Sequence, residues 1–458
     1  MLRVFHHYVS ARKLLFFAAE TLSIALAGVL GAGALALVIS PPGTSVPLDR
    51  TLLQLALYAL ALAAVFQLAL YAVDLYDLRV AAEDLGGGGG ARLVRAAGVA
   101  VFLLGLGAFA LRVRAPTGVL LGGALGAVAG MMAVRAAMRA HLGQGARVFV
   151  LGDGIKARAL ARMIREGGEG AFELCGMVEP PREGAGEGEP AVDAQALEQR
   201  ARYVVVALDE PRGGRWMDAL FRCRLSGMQV YDAAGFSERV LRRLPVTHLR
   251  PAQLAFEERL TIGLARKVCK RVVDVLAASA LLLLAAPLGL LVALAVKLDS
   301  KGPIFYAQER VGLGGTPYRL WKFRSMRQDA EKGGAVWARK NDDRVTRVGR
   351  FIRKCRIDEL PQVYNVLRGD MSLVGPRPER PVFVAQLKQQ VPFYGLRELV
   401  KPGVTGWAQI RYPYGASVED ARNKLELDLY YVKNGSLFLD LAIIFHTVRH
   451  VLMGRGAR

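Results

Sequence analysis

The 458-residue sequence predicts three parts: an α-helical membrane region of four transmembrane helices, an α/β domain, and an α+β domain with a re-entrant membrane helix. Three observations support this prediction. Four apolar blocks fill the first third of the chain, a glycine turn follows a strand-like segment after them, and a proline interrupts a later apolar segment. We place these parts at residues 1–140, 141–235 and 264–458, with a linker at 236–263.

The composition favours a membrane protein. Hydrophobic residues make up 53% of the chain, yet its formal net charge is +21. So basic a chain attracts either nucleic acid or an anionic membrane surface. The apolar content favours the membrane, so we expect no nucleic-acid partner. The four cysteines are scattered without a C-x-x-C pair, which favours reduced thiols over a disulfide framework or a zinc site.

The four apolar blocks lie at about residues 16–40, 51–75, 94–112 and 117–138. Each approaches the roughly 20 residues that a transmembrane helix needs. If the N-terminus is inside, most flanking lysines and arginines face the cytoplasm, as the positive-inside rule requires. We therefore expect the N-terminus and everything after residue 140 to be cytoplasmic. Buried helices of a soluble domain are the less favoured alternative.

Residues 146–232 read as a Rossmann-like α/β domain. A strand-like segment, ARVFVL, leads into Gly152 and Gly154, and with Ala157 they approach the G-x-G-x-x-A pattern of a dinucleotide-binding turn. In such a turn, amides at the start of a helix receive a phosphate. The next strand offers Glu179 followed by two prolines, a poor match to a ribose-binding acid. We favour a structural or regulatory domain, with nucleotide binding as the open alternative.

A second membrane signal runs over about residues 272–296 and contains Pro287. Its length alone is compatible with a fifth transmembrane helix. However, lysines and arginines flank it on both sides, at 266–271 and at 297–301, so both ends carry cytoplasmic charge. Because proline kinks a helix, we favour a re-entrant helix that bends at Pro287 and returns to the same face.

The stretch from Asp343 to Glu379 carries the chemistry. One arginine occurs every third residue, followed by the adjacent carboxylates Asp358 and Glu359. The pair could act as nucleophile and metal ligand, as general acid and general base, or as a salt-bridged helix end. Magnesium prefers one or two carboxylates plus substrate phosphates, and guanidinium groups neutralise charge during phosphoryl transfer. The stripe consists of Arg344, Arg347, Arg350, Arg353 and Arg356.

Five ordered motifs carry a resemblance. They are KFRSM at 322–326, DELPQ at 358–362, NVLRGDMS at 365–372, GPRPE at 375–379 and KPGVTGW at 401–407. Together they resemble the bacterial sugar transferase family, the monotopic polyprenyl-phosphate glycosyl-1-phosphate transferases, over about residues 264–458. The preceding helices and α/β domain are similar in layout to its long members, the undecaprenyl-phosphate glucose or galactose phosphotransferases.

The resemblance implies a reaction and a location. A UDP-sugar, expected to carry a hexose such as glucose or galactose, gives its sugar-1-phosphate to undecaprenyl phosphate and releases UMP. This is the first membrane step in exopolysaccharide, capsule or O-antigen synthesis. The family implies a catalytic domain on the cytoplasmic face of the bacterial inner membrane, in contact with the lipid bilayer, and a homodimer.

The resemblance also assigns residues. It implies that Asp358 is the nucleophile, forming a covalent aspartyl-phosphosugar intermediate, and that Glu359 binds Mg²⁺. Arg353 matches an arginine five residues before the nucleophile, and Arg377 matches a phosphate- or uridine-contacting arginine. The family breaks its re-entrant helix at Ser-Pro, where this chain has Ala286-Pro287. Further expected phosphate-binding residues are Arg310, Lys322, Arg324 and Arg356.

The main alternative is a membrane-bound NAD-dependent nucleotide-sugar dehydratase or epimerase. Such enzymes need a Tyr-x-x-x-Lys on a helix after the glycine turn. The chain contains this spacing at Tyr318 and Lys322, but in a strand-like segment far beyond the α/β domain.

Overall fold

A computed structural model of the chain describes residues 2–4, 7–9, 11–39, 48–72, 91–110, 117–142, 146–167, 172–179, 192–209, 216–249, 263–327, 343–412, 415 and 417–452. The chain divides into two compact units, Met1–Phe236 and Ser237–Arg458. Each unit is described by itself below.

The first unit begins with apolar helices. A short antiparallel pair, β1 (Leu2–Val4) and β2 (His7–Val9), precedes α1 (Ala11–Ile39), α2 (Leu48–Ala72), α3 (Ala91–Ala110) and α4 (Thr117–Leu142). Within the described residues, Leu15–Ala34 of α1 is long and apolar enough to cross a membrane. Shorter apolar segments occupy Leu57–Tyr71, Leu93–Leu106 and Leu121–Ala137. These helices indicate membrane association, while four complete spans stay a prediction.

Helices α1 and α4 pack backbone against backbone. A Cβ atom added at Gly126 would lie 2.0 Å from the Ala27 carbonyl oxygen, so a larger residue there would force the helices apart. Small residues allow this close approach between membrane helices. The fully buried Glu20 accepts a 2.6 Å hydrogen bond from Arg135 across the same contact. Burial of both charges is tolerated because they pair with each other.

The α/β region of the first unit is a four-stranded parallel sheet with the strand order β4-β3-β5-β6. Phe149 and Leu151 of β3 and Val204 of β5 pack in its core. A parallel sheet with helical crossovers agrees with the predicted α/β class. The elements are β3 (Ala146–Leu151), α5 (Ile155–Gly167), β4 (Phe172–Val178), α6 (Val192–Glu198), β5 (Tyr203–Val206), α7 (Trp216–Leu225), β6 (Gln229–Asp232) and α8 (Ala233–Phe236).

The second unit combines helices with two small sheets. Strands β7 and β8 form an antiparallel hairpin, and β9 pairs with β10 in parallel. Short helical turns at Ser237–Leu241, Val246–His248, Leu313–Gly315, Ile357–Glu359 and Tyr394–Leu399 connect the main elements. The main elements are α9 (Leu264–Asp299), β7 (Phe305–Val311), β8 (Pro317–Phe323), α10 (Arg347–Lys354), α11 (Gln362–Arg368), β9 (Ser372–Val374), α12 (Pro381–Gln390), β10 (Gly403–Thr405), α13 (Trp407–Arg411), α14 (Val418–Asn434) and α15 (Leu437–Leu452).

Residues 237–249 are part of this second unit, whereas the sequence predicts a linker at 236–263. Leu244 and Val246 belong to the buried core formed mainly by α14 and its neighbours. Arg243 donates a 2.6 Å hydrogen bond to Glu426, whose other oxygen accepts from the backbone of Val246. A buried ion pair and two core side chains therefore attach this segment to the rest of the second unit.

Helix α9 is held at both ends by the second unit. Near its start, Arg271 donates to the last carbonyls of α11, and Asp274 accepts from Ser372 at 3.0 Å. At its end, Asp299 accepts from the first turn of α10. The helix continues through Pro287, and the leucines between the two ends are exposed, Leu284 by 82%.

Candidate active site

The arginine-rich segment forms a helix and a reversal. In α10, the Thr346 hydroxyl caps the helix start by accepting from Gly349, and Ile352 is buried while Arg350 is exposed. The helix ends at Cys355, and Arg356 then adopts a left-handed conformation with φ of 57°. This conformation is rare for a residue with a Cβ atom and clusters at functional sites. It starts the short turn Ile357–Glu359 that carries both acids.

Two cations converge on Glu359. Its Oε1 atom accepts a 2.9 Å hydrogen bond from Lys322 Nζ and another of 2.9 Å from Arg377 Nη2. The Glu359 side chain is 13% exposed, and its neighbour Asp358 is 9% exposed. Three segments far apart in the sequence thus meet at the acidic pair.

The two acids have opposite pKa shifts. Burial raises the pKa of Glu359, but the charges of Lys322 and Arg377 outweigh burial and hold it below its usual value. For Asp358 burial dominates, so its pKa is raised, while Lys322 and Arg353 offset part of the effect. Paired carboxyl groups with shifts of opposite sign typically have different roles. We conclude that Glu359 is a fixed charge and that Asp358 is the less stabilised anion.

The structure brings some of the expected phosphate-binding residues to the acids. Lys322 and Arg377 contact Glu359 directly. Arg356 lies close enough to contribute to the lowered pKa of Glu359, as Arg353 does for Asp358. Arg310 instead donates to the carbonyl of Pro378, in the loop that carries Arg377.

Arg324 has a different surrounding from the one expected. It is 5% exposed and donates to the carbonyls of Val296, Ser300 and Lys301 at 3.3, 2.6 and 2.9 Å. The last carbonyls of a helix lack partners within the helix. The Arg324 guanidinium therefore completes the end of α9 instead of facing the acids.

Three residues near the site carry no prediction from the sequence. Gln409 accepts a 3.2 Å hydrogen bond from Arg377 Nη1, so it fixes the guanidinium plane. Asn365 is fully buried and links α11 to β8 through the backbone of Arg319 and Trp321. Arg397 contacts the backbone of Arg377. The sequence signal for Asn365 is its place at the start of NVLRGDMS, and the signal for Gln409 is its position two residues after KPGVTGW.

The chemistry of Glu359 is compatible with a ligand to a magnesium ion. Among the described residues, no group of three or more His, Cys, Asp or Glu side chains forms a metal site. In the described part of the chain, both donors to Glu359 reach Oε1, which leaves Oε2 as a free ligand atom. Magnesium accepts one or two carboxylates when substrate phosphates complete its shell. Glu359 meets that requirement.

The glycine turn of the α/β region already holds an anion. The Asp209 carboxylate accepts from the amides of Ile155 and Lys156 at 2.9 and 3.0 Å. A Cβ atom at Gly154 would lie 2.0 Å from that carboxylate. These first amides of α5 are the groups that bind phosphate in a dinucleotide-binding turn. Here Gly154 leaves room for the chain's own carboxylate.

Comparisons with known proteins match the part of the chain that contains the site. The family model described as bacterial sugar transferase matches residues 265–454. The chain is 47% identical over 250 residues to a UDP-N-acetylgalactosamine-undecaprenyl-phosphate N-acetylgalactosaminephosphotransferase of Aeromonas hydrophila, covering 55% of this chain and 58% of that protein. It is 36% identical to an undecaprenyl-phosphate glucose phosphotransferase of Komagataeibacter xylinus, over 68% and 60% of the two chains.

A third relative is the UDP-glucose:undecaprenyl-phosphate glucose-1-phosphate transferase of Escherichia coli strain K12. It is 34% identical, and the match covers 68% of each chain. The match spans about three fifths of the Aeromonas and Komagataeibacter proteins.

Proposed function

The chain belongs to the bacterial sugar transferase family, and on that basis we propose that it transfers sugar-1-phosphate from a UDP-sugar to undecaprenyl phosphate. The names of its relatives support this donor and acceptor. The observation that carries the proposal is the acidic pair: a buried Asp358 beside a Glu359 neutralised by Lys322 and Arg377. Two cations at a carboxylate pair suit a diphosphate substrate.

In the proposed first step, Asp358 attacks the phosphorus that bears the sugar. A bond forms between a carboxylate oxygen and that phosphorus, and the bond to the bridging oxygen breaks, so UMP leaves with the electron pair. A carboxylate nucleophile of this kind gives an acyl phosphate. In the second step, an oxygen of undecaprenyl phosphate attacks the same phosphorus and releases the Asp358 carboxylate. The lipid diphosphate-sugar is the product.

The surrounding charges suit this chemistry. The raised pKa of Asp358 marks a carboxylate that its surroundings stabilise poorly, and a diphosphate bound beside it would meet the cations Lys322 and Arg377. Magnesium bound at Glu359 would neutralise charge on the diphosphate. Lys322 and Arg377 already contact Glu359, so the protein holds its cations in place before the substrate binds.

We also propose that α9 is re-entrant, so that the site lies at the depth of the lipid phosphate on the cytoplasmic face of the inner membrane. Both ends of α9 contact other elements of the second unit, so the helix begins and ends beside the same unit. Its exposed leucines flank Pro287. Cysteines engineered after Lys297 would be modified only by an outside reagent if α9 spans the membrane.

The dehydratase alternative is not favoured. Tyr318 and Lys322 lie on strand β8, whereas the dehydratase pair needs one helix turn between its members. Lys322 is also bonded to Glu359. Two of the relatives are named as phosphotransferases and the third as a glucose-1-phosphate transferase.

The decisive experiment supplies a UDP-sugar without the lipid acceptor. The full chain should release about one equivalent of UMP and gain the mass of a sugar phosphate on Asp358, as expected for covalent catalysis. Asp358→Asn should lose both signals, and normal turnover by that variant would contradict the assignment. A panel of UDP-glucose, UDP-galactose and UDP-N-acetylgalactosamine would identify the sugar, for which we propose a hexose.

A further inference from the structure

The GPRPE loop is held by its carbonyl groups. Pro376 and Pro378 have no N–H groups, and the loop has no regular structure between β9 and α12. Nevertheless, each of the four consecutive carbonyls from Pro376 to Glu379 accepts a hydrogen bond from outside the loop. In order, the donors are Gly403 N at 2.9 Å, Arg397 Nη2 at 2.7 Å, Arg310 Nη1 at 3.1 Å and Val311 N at 3.0 Å.

Arg397, which donates to the carbonyl of Arg377 itself, is fixed from several sides. Its side chain is 10% exposed and pairs with Asp428 of α14 at 3.0 Å, where the Asp428 side chain is 4% exposed. A second nitrogen donates to the Tyr394 hydroxyl at 2.6 Å, and the guanidinium lies 5.1 Å from the centre of that ring. Arg397 thus connects the site loop to the core of the unit.

We propose that Arg397, held by Asp428, is a positioning residue that sets the place of the Arg377 guanidinium at Glu359. The expected effect on catalysis rests on the proposed function, whereas the placement of Arg377 by Arg397 does not. Arg377 stands between two prolines, so its backbone position is determined by the carbonyl contacts rather than by a helix or strand. The side chain then spans from that anchor to Glu359.

The chemistry of the contact requires arginine. The planar guanidinium offers five donors in a fixed fork, whereas a lysine ammonium is a compact charge on a flexible chain. Lysine at position 397 keeps the charge but cannot serve Asp428, Tyr394 and the Arg377 carbonyl in one plane. Misplacing a substrate-binding group by about 1 Å can cost roughly 100-fold in rate, so Arg397→Lys should impair catalysis without removing any group from the acidic pair.

The test is a double-mutant cycle on the full chain, with the rate of UMP release as the readout. Arg397→Lys alone should lower kcat/KM by about 100-fold. If Arg397 acts through Arg377, the same change in an Arg377→Lys background should lower it by less than about threefold further, because coupled residues are not additive. Losses that multiply in the double variant would overturn the proposal.

Two further variants keep the test decisive. Asp428→Asn retains the shape of the carboxylate and should show the same non-additivity with Arg377→Lys, even where Arg397→Lys folds poorly. Arg422→Met is the matched control, since Arg422 lies on α14 as Asp428 does. Among the described contacts, it forms a surface ion pair with Glu419. It should retain the activity of the unmodified chain.

A readout without substrate separates this inference from the proposed function. Amide hydrogen exchange at Val311 and Gly403, whose N–H groups donate to the loop carbonyls of Glu379 and Pro376, should increase in Arg397→Lys and stay unchanged in Arg422→Met. Unchanged exchange in both variants would refute the positioning role. If the unmodified chain releases no UMP from any UDP-sugar, the proposed reaction fails while the exchange result still decides the role of Arg397.

Discussion

Replacing Arg324 by methionine should destabilise the second unit without weakening substrate binding. The reason is the placement of its guanidinium, which donates to three carbonyls at the end of α9 and is 5% exposed. Methionine retains much of the side-chain volume but offers no donor. The three carbonyls would then have to find water or remain unsatisfied at the junction of α9 with the rest of the unit.

The magnitude follows from these bonds. A hydrogen bond to a charged group contributes about 1.5–3 kcal/mol, and three bonds that share one guanidinium are not fully additive. We expect a loss of about 4 kcal/mol in the free energy of unfolding. For a unit of this size, each kcal/mol lowers Tm by about 2–4 °C, so Tm should fall by about 8–16 °C.

The assay pairs thermal unfolding of the detergent-solubilised chain with UMP release below the unfolding temperature. Activity per folded molecule and KM for the UDP-sugar should stay within about threefold of the unmodified chain. Arg422→Met, which removes an exposed ion pair worth at most about 1 kcal/mol, is the control for Tm. An unchanged Tm together with a raised KM would show that Arg324 contacts substrate and that our reasoning is wrong.

Three other changes test separate parts of the structure. Lys322→Met should move the acidic limb of the pH profile for UMP release to higher pH. The reason is that Lys322 lowers the pKa of Asp358, and the nucleophile must be ionised. Lys322→Arg should return the limb to its original pH. A chain that begins at residue 237 should have a higher Tm than one that begins at residue 264, and equal values would contradict a structural role for the intervening segment. Addition of NAD should leave the Tm of the full chain unchanged because Asp209 fills the glycine turn, and a rise would refute that assignment.

Local patterns in the sequence account for much of the site. The motifs locate Lys322, the acidic pair and Arg377, and the structure brings them together. Alternation along a strand also places Arg324 on the face of Lys322. However, β8 ends at Phe323, so Arg324 lies beyond the strand and turns towards α9. The residue at which a strand ends depends on tertiary contacts that a local pattern does not contain.

Other features depend on partners distant in the chain. Asp209 reaches the glycine turn from a loop more than fifty residues away, so the turn's sequence predicts an anion but not its source. Arg397 has no motif that connects it to Arg377. Leu244 and Val246 lie in short, irregular turns without the periodicity that marks a buried face, which is why the sequence predicts a linker here.

The convergence of Lys322 and Arg377 on one carboxylate has a consequence for the resting enzyme. Two positive charges share the single negative charge of Glu359. The neighbouring Asp358 carboxylate is offset by Arg353, so before substrate binds these five groups carry an excess of one positive charge. Such a site attracts any small phosphate-bearing anion, and the attraction weakens as salt screens it. In the proposed reaction, the UMP that leaves carries the same phosphate chemistry as the donor. Retained UMP would therefore compete with the next donor molecule for these cations, and low salt should prolong its stay.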